Sequence, residues 1–162
     1  MVLIIMGVAG AGKTTVGKSL ASRLGWMFYD ADDFHPKENI EKIEKGAPLT
    51  DEDRAPWLEA LRALIAGLDT NAVIACSALK KKYRDILTVG GHDVRFVYLH
   101  GDKEIIRERL LERKGHFAGP EILEGQLDAL EEPEDAISVD IGQGADVITD
   151  EIVLKLGLKG HA

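Results

Sequence analysis

Residues 7–14 read GVAGAGKT, so Gly7, Gly12, Lys13 and Thr14 meet the spacing G-x-x-x-x-G-K-[ST]. Glycines at such positions let the backbone take positive φ and turn several N–H groups toward one point. At a helix start those donors, with the helix dipole, surround a phosphate. Gly7, Gly10, Ala11, Gly12, Lys13, Thr14 and Thr15 are the expected cradle for a nucleoside triphosphate, ATP. Lys13 is expected to reach the β- and γ-phosphates, and the Thr14 hydroxyl to ligate Mg²⁺. A second group of reactive side chains lies in FYDADDFHP. Asp30 and Asp32 are two apart and point the same way on an extended chain. Beside a phosphate loop, one carboxylate can hold Mg²⁺ or its waters, and the other can accept a proton from a hydroxyl or orient it. Asp30, deeper in its strand, is assigned to the metal and Asp32 to the acceptor. The structural alternative is a pair of turn-capping aspartates.

Those residues need a frame. Short apolar runs alternate with segments of helical period. The expected strands are VLIIMG, WMFYDAD, AVIACSA, VRFVYLHG and AISVDIG. Val16, Leu20 and Leu24 recur at helical spacing and Gly25 is a natural C-cap. Leu58, Leu61, Leu64, Ile65 and Leu68 make another apolar face, and Ile105, Ile106 and Leu110 a third. Strand and helix in alternation predict an α/β fold: a five-stranded parallel sheet with helices on both faces, ligands lying beyond the carboxyl ends of the strands. One domain is expected over residues 1–162, with a substrate-binding segment at about 31–58 and a lid at about 109–121.

Between the strands, Pro36 suits a first helical turn, Gly46 a helix end, and Thr50 with Asp53 a capping box. Arg54 then falls in a first turn, where a cation opposes the helix dipole. That mismatch points to an anion, a substrate carboxylate, or else to a salt bridge with Asp51 or Asp53. His35 is either a substrate donor or a packing residue of the loop. Arg109 and Arg113 share a helix face just before the Gly-containing break KGHFAG, which holds Lys114 and His116. Arginines on a closing segment would stabilise transferred charge and exclude water. Pairing with Glu108 and Glu112 is the structural alternative.

Composition narrows the function. The chain has 162 residues, 45% of them hydrophobic, and a formal net charge of −8. Such an acid balance argues against a nucleic-acid partner. The single cysteine, Cys76, lies in an apolar run, fits a reducing cytoplasmic setting and reads as buried and inert. The start MVLIIMGVAG lacks a basic leader pattern, and no apolar run approaches the roughly 20 residues of a membrane span.

Several stretches together resemble the gluconokinase family of small P-loop sugar-acid kinases: GVAGAGKTTVGKSLA, DADDFHPKENIEKIEKGAPLTDEDRAPWL, CSALKKKYRDIL, VYLHGD and ERKGHFAGPEILEGQLDALEEPED. They run in order from residue 7 to about residue 135. The resemblance implies a nucleoside-monophosphate-kinase-like P-loop fold, ATP and Mg²⁺ as cofactors, transfer to the 6-hydroxyl of D-gluconate, and a homodimer. Asp32, His35, Arg54, Ser77, Lys80, Arg84 and His116 are then the expected substrate contacts, and Lys13, Asp32, Arg109 and Arg113 the catalytic set. Ala9, Ala11 and Thr14 stand where members of the family often carry serine, with no expected loss because the backbone binds the phosphate. Beyond about residue 145 nothing specific is matched. The chief alternative is a shikimate-kinase-like enzyme, which also has D-x-D after its second strand, but CSAL replaces the glycine-rich run expected after the third. A nucleoside monophosphate kinase lacks its base-binding motif here. A nucleotide-dependent switch would have no use for paired aspartates and an acceptor site.

Overall fold

The computed structural model describes residues 1–113 and 120–160. Five parallel strands, β1 (Val2–Met6), β2 (Met27–Asp30), β3 (Ala72–Ala75), β4 (Val94–His100) and β5 (Ile137–Asp140), form one sheet in the order β2-β3-β1-β4-β5. β1 is central and every residue of it is buried. Parallel strands require a crossover between them, and helices supply it. These are α1 (Lys13–Leu24), α2 (Lys37–Glu44), α3 (Asp51–Ala66), α4 (Lys81–Leu87), α5 (Lys103–Glu112), α6 (Glu121–Ala129) and α7 (Ala145–Leu156).

The pleat divides the core in two. Leu3, Ile5, Val73, Val97, Leu99 and Val139 face one layer, packed with residues of α1, α5, α6 and α7. Val2, Ile4, Met6, Ile74 and Tyr98 face the other, packed with α3 and α4. Each fully buried Leu or Ile contributes about 1.5–3 kcal/mol relative to exposure, so both layers fix the sheet firmly. α1 ends as its sequence dictates, at Gly25 in the left-handed conformation. α3 begins with a complete capping box, Thr50 and Asp53 each accepting from the other's backbone N–H.

The structure departs from the sequence-based expectations at β2 and on α5. β2 stops at Asp30, where its side chain accepts from Asp32 N at 3.0 Å and starts a 3-10 turn over Ala31–Phe34. Asp30 and Asp32 are thus related by a capped turn rather than by the pleat. On α5, Ile106 and Leu110 are buried but Ile105 faces outward. Residues after 145 form a full helix, α7, whose Ile148 and Ile152 join the core.

β1 leads directly into Gly7, and the loop beyond it is packed tightly against α5. Gly10 has φ +84°, and a Cβ placed there would lie 2.8 Å from Leu110 Cγ and 3.0 Å from Ile106 O. Gly46 has a similar φ of +72° with open space around it. Left-handed strain alone costs an alanine about 1–2 kcal/mol, and overpacking adds about 1–3 kcal/mol. Gly10→Ala is therefore expected to lower the unfolding free energy by about 2–5 kcal/mol and Gly46→Ala by only about 1–2 kcal/mol. Denaturant unfolding of both variants measures the difference. Equal losses would mean that α5 does not constrain the loop.

Candidate active site

The loop after β1 does what its glycines allow. Gly7 has φ +152°, and its close approach to Leu99 O leaves no room for a Cβ. Gly12 is left-handed at φ 94° and caps α1, aiming the helix N-terminus into the loop. Lys13 is half-buried rather than solvent-facing: its Nζ donates to Val8 O at 3.1 Å. Burial pushes its pKa down, the Asp32 carboxylate pulls it up and Arg113 again lowers it. Thr14 Oγ1 donates to Asp30 Oδ2 at 3.0 Å. Thr15 is exposed at the mouth.

Asp32 is open to solvent on one side and crowded by protein on the other. Desolvation raises its pKa, the neighbouring Asp30 charge raises it further, and Lys13 opposes both. The turn that carries it is braced from α3, since Trp57 Nε1 donates to Ala31 O at 2.7 Å. His35 stacks on the same indole at 4.5 Å and 12°, and its Nδ1 lies 3.2 Å from Asn39 Nδ2. Burial and the Arg54 charge push the His35 pKa down to about 4, so the ring is neutral. Asn39, the buried residue of α2, also donates to Asp53 O at 2.8 Å and locks α2 to α3.

Arg54 makes neither of the salt bridges that its neighbours offered. Asp53 accepts from Lys42, and Asp51 from Lys82 and Tyr83 with Lys80 3.9 Å away. The Arg54 guanidinium instead donates to Leu49 O at 2.8 Å and to Tyr83 Oη at 3.3 Å. Among the described residues no carboxylate neutralises it. Ser77 is half-buried where β3 ends, and its carbonyl accepts from Gly7 N at 3.3 Å.

Arg84 departs from its expected place. Lys80 precedes α4 as its N-cap, and Arg84 lies within the helix. Arg84 is buried, and its guanidinium donates to Ala78 O, Leu79 O and Glu131 O at 2.8, 3.1 and 2.9 Å. Ala78 has φ 45°, a left-handed turn that a non-glycine residue adopts at a cost. The clasp holds that turn, and the donors expected to meet a substrate are spent on backbone carbonyls.

On the other side of β1, Arg109 donates to Ile141 O at 2.8 Å. Neither Arg109 nor Arg113 pairs with Glu108 or Glu112 among the described residues. With Gly12, Thr15, Gln143 and Ile148 they line a cavity beside the phosphate loop. Gln143 and Ile148, at the start of α7, were invisible to motif reading because that stretch carries no reactive pattern. The same holds for Gln126 on α6, whose Oε1 accepts from Ala9 N at 2.6 Å. His116, Lys114 and the glycines at 115 and 119 lie outside the described residues. Cys76 is buried, and desolvation pushes its thiol up to about 12, as befits an inert core residue. No helix among the described residues is long and apolar enough to cross a membrane.

Residues 9–138 match the shikimate kinase family. A probable gluconokinase of Xenopus tropicalis is 46% identical, with 94% of this chain and 91% of the relative aligned. The thermoresistant gluconokinase of Escherichia coli K12 is 44% identical over 95% of this chain and 94% of its own length. The crystal structure of a gluconokinase from Sinorhizobium meliloti superposes with a TM-score of 0.86 at 40% identity, covering 96% of this chain and 90% of that one. Shikimate kinase of Aquifex aeolicus, at 23% identity and a TM-score of 0.65 over 97% and 96% of the two chains, shares the fold.

The neutral His35 has a consequence for acid stability. Its folded pKa near 4 lies below the ordinary 6.5, so between those values the unfolded chain binds a proton that the folded one refuses. Stability is full above that window and falls as pH drops through it. His35→Phe keeps an aromatic ring on Trp57 and removes the titration. Its unfolding free energy is expected to fall less than that of the unaltered chain as pH is lowered from 6.5 to 4. Parallel curves would show that His35 charges freely in the folded protein.

Proposed function

The chain belongs to the gluconokinase family, within the broader shikimate kinase family, and from that premise we propose that it transfers the γ-phosphate of ATP to the 6-hydroxyl of D-gluconate, giving 6-phospho-D-gluconate and ADP. The observation that carries this reading is an aspartate-bearing turn set against the phosphate loop. Thr14 Oγ1 donates to Asp30 Oδ2 at 3.0 Å, and the nearby Asp32 charge raises the Lys13 pKa against the pull of burial. A phosphate and a hydroxyl brought to that point meet a cation, a helix N-terminus and a base together.

The residues present fit a magnesium ion. A hydroxyl and a carboxylate oxygen 3.0 Å apart, Thr14 Oγ1 and Asp30 Oδ2, are the hard donors that Mg²⁺ takes, with phosphate oxygens and waters completing its shell. Bound there, the ion would neutralise charge on the β- and γ-oxygens. Asp32, with its raised pKa, orients the acceptor hydroxyl and takes its proton. Lys13, Arg109 and Arg113 hold the phosphoryl charge. Arg54 receives the gluconate carboxylate, and His35, Ser77 and Lys80 offer polar groups to its hydroxyls. A single domain, a homodimer and a cytoplasmic setting belong to the same proposal on the strength of the kinship.

Two experiments test it. With ATP and Mg²⁺, ADP formation is expected to rise on adding gluconate and not on adding shikimate. Formation indifferent to both acids would favour a nucleotide switch. A charge-assisted bidentate pair is worth about 1.5–3 kcal/mol. Arg54→Ala is therefore expected to raise KM for gluconate about ten- to a hundred-fold while KM for ATP holds. A shift in the ATP value alone would move Arg54 to the nucleotide side.

The aspartates divide the labour. Asp32→Asn is expected to lower kcat by about 10²–10⁴-fold, the usual contribution of a general base, at an unchanged Mg²⁺ midpoint. Asp30→Asn is expected to raise the Mg²⁺ concentration needed for half-maximal rate. Magnesium titrations at saturating ATP and gluconate separate the two, and the opposite pattern would exchange their roles.

A further inference from the structure

One peptide of the phosphate loop is held at both ends. The Val8 carbonyl accepts from Lys13 Nζ at 3.1 Å and from Ala11 N at 3.1 Å. The N–H of the same peptide, on Ala9, donates to Gln126 Oε1 at 2.6 Å. The C=O and N–H of a planar trans peptide point in opposite directions. Gln126 therefore grips the loop from the side away from the lysine. It reaches there from α6, 117 positions along the chain. Ala9 is only 8% exposed, so an N–H without this acceptor would be left unsatisfied in a near-dry place. A backbone donor also dictates which end of the glutamine amide faces it, namely the oxygen.

We propose that Gln126 is a positioning residue for Lys13. It fixes the plane of the Val8–Ala9 peptide, and that plane sets where the Val8 carbonyl holds the ammonium. Rotation of the peptide would break both contacts at once and carry the lysine away from the β- and γ-phosphate positions. Gln126 acts through the loop and contacts the lysine only by way of that peptide. The inference rests on reading the loop as the ATP site.

The test compares two substitutions of similar size. Gln126→Met keeps the side chain's length and removes the acceptor; Gln126→Glu keeps an acceptor oxygen at the same reach. Q126M is expected to weaken binding of a non-hydrolysable ATP analogue about tenfold and to lower kcat by a similar factor, with KM for gluconate within about twofold. Q126E is expected to restore both to within about threefold of the unaltered chain. A purely structural role would lower the Tm of Q126M and leave affinity and kcat intact well below it. The proposal is overturned by wild-type affinity and kcat in Q126M, by a Q126E as impaired as Q126M, or by a loss confined to KM for gluconate. If Q126M fails to fold, Gln126→Asn, one methylene too short to reach Ala9 N, carries the same expectation. The analogue titration needs no acceptor, whereas gluconate-dependent ADP formation by the unaltered chain tests the kinase reading, so failure of one is distinguishable from failure of the other.

Discussion

A loop that turns its N–H groups toward a phosphate must find partners for every group that turns the other way. That requirement organises this molecule. β1 is buried in the centre of the sheet, and the loop after it cannot borrow water for its outward-facing groups. Gly7 N goes to Ser77 O, at the end of the neighbouring strand. Ala9 N goes to Gln126, and Val8 O receives both Ala11 N and the Lys13 ammonium. The cradle is thus anchored from β3 on one side and from α6 on the other. Its shape is a property of the whole fold, and a short glycine sequence alone would not hold it.

In this acidic protein of net charge −8 the cations are held in two different ways. Away from the site, cations meet carboxylates: Arg23 with Asp150, Lys42 with Asp53, Arg62 with Glu59, Lys81 with Asp85, Arg95 with Asp93. Three cations at the candidate site donate to backbone carbonyls instead. Lys13 rests on Val8 O, Arg54 on Leu49 O and Arg109 on Ile141 O. A carbonyl fixes the position of a cation without cancelling its charge, so the field stays available to a ligand. Arg84 is held by carbonyls too, but three of them surround it in the interior, and there the guanidinium works as a clasp. Burial together with the number of carbonyls separates the two roles.

That distinction marks the limit of what the sequence disclosed. The phosphate loop, the alternation of strands and helices, the capping box at Thr50 and the glycine end of α1 are written in local spacing, and local spacing was enough to read them. Lys80 and Arg84 sit four apart and both looked like ligands, because spacing tells which residues share a helix and says nothing of where that helix starts. Lys80 turned out to be the cap, outside the helical rows, and Arg84 points inward. The turn at Asp30, which the sequence offered only as the alternative of turn-capping aspartates, was undecided for a similar reason: a single side-chain-to-backbone hydrogen bond decides between one more extended residue and a 3-10 turn. Gln126, Asn39 and the start of α7 gave no signal, since their partners lie on distant parts of the chain.

The strand order gives these parts their division of labour. In β2-β3-β1-β4-β5 the loop after β1 stands at the middle. Everything that precedes β4 in sequence, from the Asp30–Asp32 turn through Arg54 and Lys80, gathers on the β3 and β2 side. Arg109 and Gln143, which come after β4 and β5, gather on the other with the cavity beside Gly12 and Thr15. In the proposed reaction a nucleotide on the second side and an acceptor on the first would meet above β1, beside Lys13. Arg54 stands on α3 and Lys80 caps α4, and both helices belong to the layer packed on the opposite face of the sheet from α1.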